Sequence, residues 1–278
     1  MNAYQEISYE VADAVATIAL NRPQRRNGYT VLMADELAAA LAAAEADDEV
    51  RVVILTGHGK DFCVGADLSG GSLVASDNSS SDAPYHEPAG RVSMRIYAMN
   101  KPVIAALRGA AVGAGSTIIL PADFRLAATD TRFGFVFTRR GLIPEGASAW
   151  FLPRLVGLGR ALDWMVSGRV FGAEEALAAG LVTRLHEPDE VLPAAQALAA
   201  ELVATTSPVS VAITRQLLFR MSPLDTPFPT RDLDSRLIAD ARANPDALEG
   251  VVSFLQKRPP DFPGQVSKDL PDYLPWLP

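Results

Sequence analysis

The stretch "VRVVILTGHGKDFCVGADL", Val50 to Leu68, carries the reading on which the fold turns. Its first half is an apolar, β-branched run with no alternation, which predicts a strand covered on both faces, as in the parallel sheets of α/β proteins. Its second half passes through Gly57 and Gly59 to a small-residue turn, "VGADL" (64–68). Upstream, "ISYEVADAVATIALNRP" alternates and is rich in β-branched residues, with Asp13 marking a hairpin turn between two strands. Thr30 then caps a helix from Val31 to about Ala46, in which Leu37 and Leu41 share a face with Ala34 and Ala38. Strand, helix and buried strand together open an α/β fold.

Downstream, "KPVIAAL" and "FRLAAT" are further strands, each with a helix signal nearby, joined through the glycine-rich "GAAVGAGSTIIL". From Ala147 onward the pattern is almost entirely helical, with amphipathic segments near 158–168, 173–179, 189–206, 208–221, 230–243 and 245–257, broken by a short strand at "LVTRL". The tail "RPPDFPGQVSKDLPDYLPWLP" holds too many prolines for a helix and is expected to pack as an extended arm. The polar, serine-rich segment between Gly70 and Arg91 reads as a mobile surface loop. The expected division is a core over residues 1–200 and a helical C-terminal region with its tail over 201–278, with no internal repeat and no linker between independent domains.

Composition narrows the function. With 278 residues, 49% of them hydrophobic, the chain can bury a sizeable core without staples. The single cysteine, Cys63, excludes an internal disulfide and a thiolate metal cluster, as a reducing cytoplasm favours. His58, His86 and His186 lie far apart without ligand spacing, so no resident metal is expected. A formal charge of -8 and no basic block argue against a nucleic-acid partner. The N-terminal "MNAYQEISYEV" lacks a signal-peptide pattern, and no apolar run reaches membrane-spanning length. A soluble, cytoplasmic protein with no membrane partner is the expectation.

Nucleotide loops fail on their own spacing. In "GHGKDF", Phe62 stands where a dinucleotide fingerprint needs its third glycine, and Asp61 follows Lys60 where a P-loop needs Ser or Thr. "GAAVGAGSTI" fails likewise, and no GxSxG elbow occurs. Two small-residue turns remain, "VGADL" and "VGAGS" (112–116), each following a strand. Such turns either permit close packing or aim backbone N–H groups at one oxygen anion, and the residues alone leave both readings open. Glu145, in "GLIPEGASAW", is similarly open: a charge in the first turn of a helix, or an acid placed for chemistry.

The motifs "NRPQRRNG", "VILTGHGKDFCVGADL", "KPVIAALRGAAVGAGSTIILPADFRLAA", "RFGF", "GLIPEGASAWFLPRLVG", "SGRVFGAEEALAAGLV" and "FLQKRPP" occur in this order from about Ile7 to Phe262. Together they resemble the enoyl-CoA hydratase/isomerase family, the crotonase superfamily. The resemblance implies an α/β crotonase spiral of ββα units, a helical C-terminal trimerisation region, and a homotrimer or hexamer. It implies an acyl-CoA thioester substrate, with coenzyme A entering as part of that substrate and no separate cofactor. By position, the thioester oxygen would be held by the N–H groups of Ala66 and Ala114; the second commonly falls on glycine in the family.

Family hydratases typically use two glutamates, and this sequence has Thr117 and Phe137 at those places. A phenyl ring transfers no protons. Glu145 instead resembles the single catalytic carboxylate of 3,2-enoyl-CoA isomerases, which occupies this place in a "PEG" context. Burial among Leu142, Ile143 and Trp150 is expected to raise its pKa. The resemblance thus favours moving a double bond from the 3 to the 2 position with one proton carrier. Hydration of a 2-enoyl-CoA is the main alternative; hydrolysis of a thioester or carbon–carbon bond and non-catalytic acyl-CoA binding are further ones. Arg22, Arg25 and Arg26 stand where family members contact CoA phosphates, and Lys257 with Arg258 resembles a basic pair that reaches the adenine end. Asp67 and Asp123 are expected to cap or pack.

Overall fold

The computed structural model describes residues 4–68, 85–241 and 244–276. Strands β1 (Ile7–Ala12) and β2 (Val15–Leu20) form the expected antiparallel hairpin. Asp13 and Ala14 close it with φ of 50° and 61°, the left-handed pair that matches a two-residue turn to the twist of its strands. Helix α1 (Val31–Ala46) starts at its cap, where Thr30 accepts the Met33 N–H at 3.0 Å. Strand β3 (Val52–Gly57) is buried on both faces, and its alternation explains how: Val53 and Leu55 join the core shared with α1, while Val52 and Ile54 meet a second apolar layer.

Next come α2 (Pro88–Ala98), β4 (Val103–Leu107), β5 (Ala110–Val112), the one-turn α3 (Ala114–Thr117), β6 (Phe124–Ala128) and β7 (Arg132–Gly134). With β8 (Val170–Gly172) and β9 (Arg184–His186), the strands make a six-stranded sheet in the order β1-β2-β3-β4-β6-β9 and a three-stranded sheet in the order β5-β7-β8. Beyond the first hairpin the large sheet is parallel throughout. Each turn of the chain gives one strand to the large sheet and the next to the small one: β4 then β5, β6 then β7. The segment after β3 does the same in reduced form, through a single-residue bridge from Cys63 to Ala111 of β5. This is a spiral of ββα units, as the resemblance implies.

Helices α4 (Ser148–Val156), α5 (Leu158–Ser167), α6 (Ala173–Ala178), α7 (Val191–Thr205), α8 (Pro208–Met221), α9 (Phe228–Ala241) and α10 (Pro245–Gln256) fill the second half. The outer face of the large sheet is covered by α7, whose Val191, Ala195, Leu198 and Ala199 pack on Ile54, Ile104 and Leu126. Buried Arg215 ties α8 to the spiral through an ion pair with Asp123 at 2.9 Å, and Asp123 also accepts the Val103 N–H at 2.7 Å. Asp123 is therefore a packing residue, as expected. The proline-rich tail carries one short helical turn, α11 (Val266–Asp269).

The expected loop over 70–91 needs correction where it can be seen; residues 69–84 lie outside the described residues. Its end is helical, because Glu87 caps α2 and Pro88 occupies the first helical position. Proline there loses no helical hydrogen bond and has φ already set for the helix, which outweighs the polar composition around it.

Candidate active site

The turns after β3 and β5 meet. Cys63 donates its N–H to the Ala110 carbonyl at 2.7 Å and accepts the Val112 N–H at 2.9 Å, which holds the two segments side by side. Gly65 (φ 93°) and Gly113 (φ 58°) then turn them together. A Cβ on Gly65 would stand 3.0 Å from the Val112 carbonyl oxygen, and one on Gly113 3.4 Å from the Gly65 Cα. Positive φ favours glycine at both positions, and the close approach to the Val112 carbonyl adds to that at Gly65. Each glycine delivers the residue that follows it, Ala66 and Ala114, to the same place.

Hydrogen bonding shows which way those residues point. Tyr29 donates its N–H to the Gly65 carbonyl at 2.8 Å, and Asp67 donates to the Tyr29 carbonyl at 2.9 Å. Ala66 is thus the bridged residue of a parallel pair, and its own N–H faces away from Tyr29. In α3, Ser116 and Thr117 donate to the Gly113 carbonyl at 2.9 and 3.1 Å, leaving the Ala114 N–H at the open end of the turn. Among the described residues, neither the Ala66 nor the Ala114 N–H has an acceptor. Two such donors on touching turns can hold an oxygen that gains negative charge.

Glu145 stands beside this pair. The turn that carries it rests on α3, since a Cβ on Gly146 (φ 65°) would lie 3.0 Å from the Thr117 Cβ. The Thr117 hydroxyl donates to the Ala114 carbonyl at 3.2 Å and is near enough to the Glu145 carboxyl to favour its ionised form. Ser148 fixes the turn by donating both its N–H (3.0 Å) and its hydroxyl (2.5 Å) to the Glu145 carbonyl. Burial, followed by the charge of Glu87, pushes the Glu145 carboxyl up to about 7, against the lowering effect of the nearby Thr117 hydroxyl. A carboxyl poised there can take and return a proton at neutral pH.

The expected source of that burial was wrong in part. Leu142 and Ile143 are exposed, Ile143 by 83%, so they do not shield the acid. Its neighbours are instead Thr117, buried Tyr29 and Cys63, and Glu87. Thr117 and Phe137, at the usual carboxylate positions, are both buried, and Phe137 is part of the core.

Glu87 is the residue that the sequence reading missed. One carboxylate oxygen accepts the Gly146 N–H at 2.7 Å, and the other accepts the Gly90 N–H at 2.7 Å. The site therefore holds two carboxylates. The signal that could have found Glu87 was a helix start with proline at its first position; that it would meet a turn 59 residues later was not readable locally.

The basic candidates separate. Arg22 is engaged within the chain by Glu6 and Asp67, both at 3.0 Å, so Asp67 packs as expected. Arg26 pairs with Asp61 at 2.7 Å, and Arg25 is exposed at the end of the same short helical turn. All three belong to the segment that leads to Tyr29 and abuts Asp67, beside Ala66. Lys257 and Arg258 differ: exposed Arg258 pairs with Glu249 at 2.6 Å, and the tail that follows bonds through Ser267 to Asp48 at 2.6 Å. Among the described residues, neither Lys257 nor Arg258 hydrogen-bonds or ion-pairs with the segments that carry Ala66, Ala114 and Glu145. Among the described residues, no group of three or more His, Cys, Asp or Glu side chains could hold a metal ion, and no single helix is long and apolar enough to cross a membrane.

Comparison with known proteins agrees with this architecture. The enoyl-CoA hydratase/isomerase family model matches residues 10–265, and the chain belongs to that family. It is 37% identical over 252 residues to enoyl-CoA hydratase ACTT3 of Alternaria alternata, covering 90% of this chain and 83% of that protein. It is 34% identical to the 1,2-epoxyphenylacetyl-CoA isomerase of Escherichia coli, over 92% of this chain and 97% of the other. The enoyl-CoA hydratase structure from Bacillus anthracis superposes with a TM-score of 0.83 at 30% identity, covering 93% of this chain and 99% of that one. The fold is that of crotonase, and the protein is an enzyme of the enoyl-CoA hydratase/isomerase class.

Proposed function

We propose that this enzyme moves a double bond in an acyl-CoA thioester, converting a 3-enoyl-CoA to a 2-enoyl-CoA. A thioester acidifies its α carbon, and loss of that proton leaves an enolate whose charge falls on the thioester oxygen. The N–H groups of Ala66 and Ala114 receive this oxygen, and Glu145 takes the α proton and returns it to the γ carbon. The observation that carries the reading is the Glu145 carboxyl, raised to about 7 on a turn that packs, through Gly146, against Thr117 of the helix that begins at Ala114. Each donor contributes on the order of a hundredfold to a thousandfold in rate.

Hydration of a 2-enoyl-CoA is the second reading. It is favoured by the nearness of Glu87, which supplies a second carboxylate, and by the hydratase names of relatives such as ACTT3. Giving the purified enzyme each substrate separately decides between them. Isomerisation predicts conversion of the 3-enoyl-CoA without water addition to the 2-enoyl-CoA; a 3-hydroxyacyl product from the second substrate, with the first untouched, would overturn it.

The same proposal extends to binding and assembly. Arg22, Arg25 and Arg26 flank the Ala66 side of the site and would meet the CoA phosphates, with exposed Arg25 the freest to do so. No separate cofactor is needed, since CoA arrives with the substrate. The exposed apolar side chains of Leu218, Ile238, Phe254 and Leu255 support a homotrimer or hexamer, in which Lys257 and Arg258 would serve a neighbouring subunit. A cytoplasmic location completes the reading.

A further inference from the structure

We propose that Glu87 is a positioning residue: it pins the turn bearing Glu145 to the start of α2, and its carboxylate sets how readily Glu145 takes up and returns a proton. The proposal rests on the reading of Glu145 as the proton carrier. Its geometric basis is a clasp. The two Glu87 oxygens accept N–H groups from Gly146, beside Glu145, and from Gly90, in the first turn of α2. Gly90 leaves room for it, because a Cβ there would collide with the Glu87 Oε1 that reaches Gly146. A glycine inside a helix weakens the helix, so its presence here has a steric use.

The surroundings make Glu87 the charge that matters. Among the described residues, five other groups face Glu145 or its neighbours: the Thr117 hydroxyl from α3, the Cys63 thiol and Asp61 from the segment after β3, the Tyr29 phenol from the segment before α1, and Arg91 from α2; Asp61 is paired with Arg26. Burial raises the Tyr29 phenol well above its ordinary value and pushes the Cys63 thiol up to about 12, so both are neutral at pH 7. Arg91 is engaged by Asp35 of α1. Among the described residues, the Glu87 carboxylate is left as the charge that disfavours the ionised form of Glu145.

Isotope-detected NMR titration of Glu145, with glutamate labelled at its side-chain carbon, tests this without reliance on turnover. Glu87→Gln keeps an oxygen for the Gly146 N–H and removes the charge. The Glu145 midpoint should then fall by roughly one pH unit, and the acidic limb of kcat/KM should move with it, while KM stays within about twofold. Glu87→Gln also leaves one backbone N–H short of an acceptor, so a second variant guards against misfolding. Gly90→Ala keeps the charge but displaces the carboxylate from Gly146, and it should lower kcat about tenfold. An unmoved Glu145 titration in folded Glu87→Gln, or full kcat in Gly90→Ala, overturns the proposal. If Glu145→Gln leaves turnover intact, the reading beneath it falls; if Glu145→Gln is inactive while the titration is unmoved in Glu87→Gln, Glu87 alone is misassigned.

Discussion

Two glutamates in this molecule have been driven in opposite directions. Glu175, in α6, accepts hydrogen bonds from Arg169 and from the Trp164 indole N–H at 2.9 Å, and Arg169 holds its carboxyl down to about 2. Among the described residues no cation pairs with Glu145; burial and the Glu87 charge carry it up to about 7. The first is a fixed anion in a structural network with Asp163, Arg160 and Arg169. The second is unfavourable as an anion, and that makes it able to exchange a proton near neutrality. A family motif marks Glu145 in the sequence, but its environment fits it for proton transfer.

The largest expected effect comes from disturbing the geometry of one region and not the other. Gly65→Ala adds a Cβ at a φ of 93°, 3.0 Å from the Val112 carbonyl, and should push the Ala66 N–H off the shared oxygen position. We expect kcat/KM to fall about a hundredfold, as loss of one donor would dictate. Arg169→Leu, which opens the Glu175 network, should leave kcat/KM within about twofold. Equal losses in the two variants would erase the distinction drawn here.

Stability should separate the two glutamates by sign. Glu145 has a folded-state pKa above its ordinary value of 4.5, so its contribution is full below about pH 4.5 and is lost as pH rises through about 7. Glu145→Gln removes a disfavoured anion and should stabilise the protein at pH 8 by on the order of 3 kcal/mol. Glu175 has a depressed pKa, so its contribution is present above about 4.5 and is lost as pH falls through about 2. Because that network is partly exposed, Glu175→Gln should cost only about 1 kcal/mol at pH 7. Urea midpoints at the two pH values measure both; a Glu145→Gln variant that is less stable at pH 8 would contradict the desolvated site.

Much of the fold was legible because it is written in local patterns. The Asp13 hairpin, the Thr30 cap and the doubly buried β3 all follow from residues within a few positions of one another. The candidate site was legible in pieces: Ala66 and Ala114 lie one residue past glycines that the turns require, and Glu145 is marked by its motif. What stayed hidden depends on distant contact. Glu87 looked like part of a polar loop because its partner, Gly146, comes from another turn of the spiral. Leu142 and Ile143 looked like shielding because they adjoin Glu145 in sequence, yet the chain exposes them and half-buries the acid near α2 and α3. Lys257 and Arg258 stand out by motif, but within one chain the bonds of Arg258 run to Glu249 and Gln256 of its own helix.

The most direct test of the central claim follows conversion of a 3-enoyl-CoA to its 2-enoyl isomer by the wild-type enzyme and by Glu145→Gln at pH 8, where the wild-type carboxylate is mostly ionised. With Glu145 as the proton carrier, the variant should lose about a hundredfold or more in kcat while remaining folded. Turnover equal to wild type would return Glu145 to a helix-start charge and contradict the account.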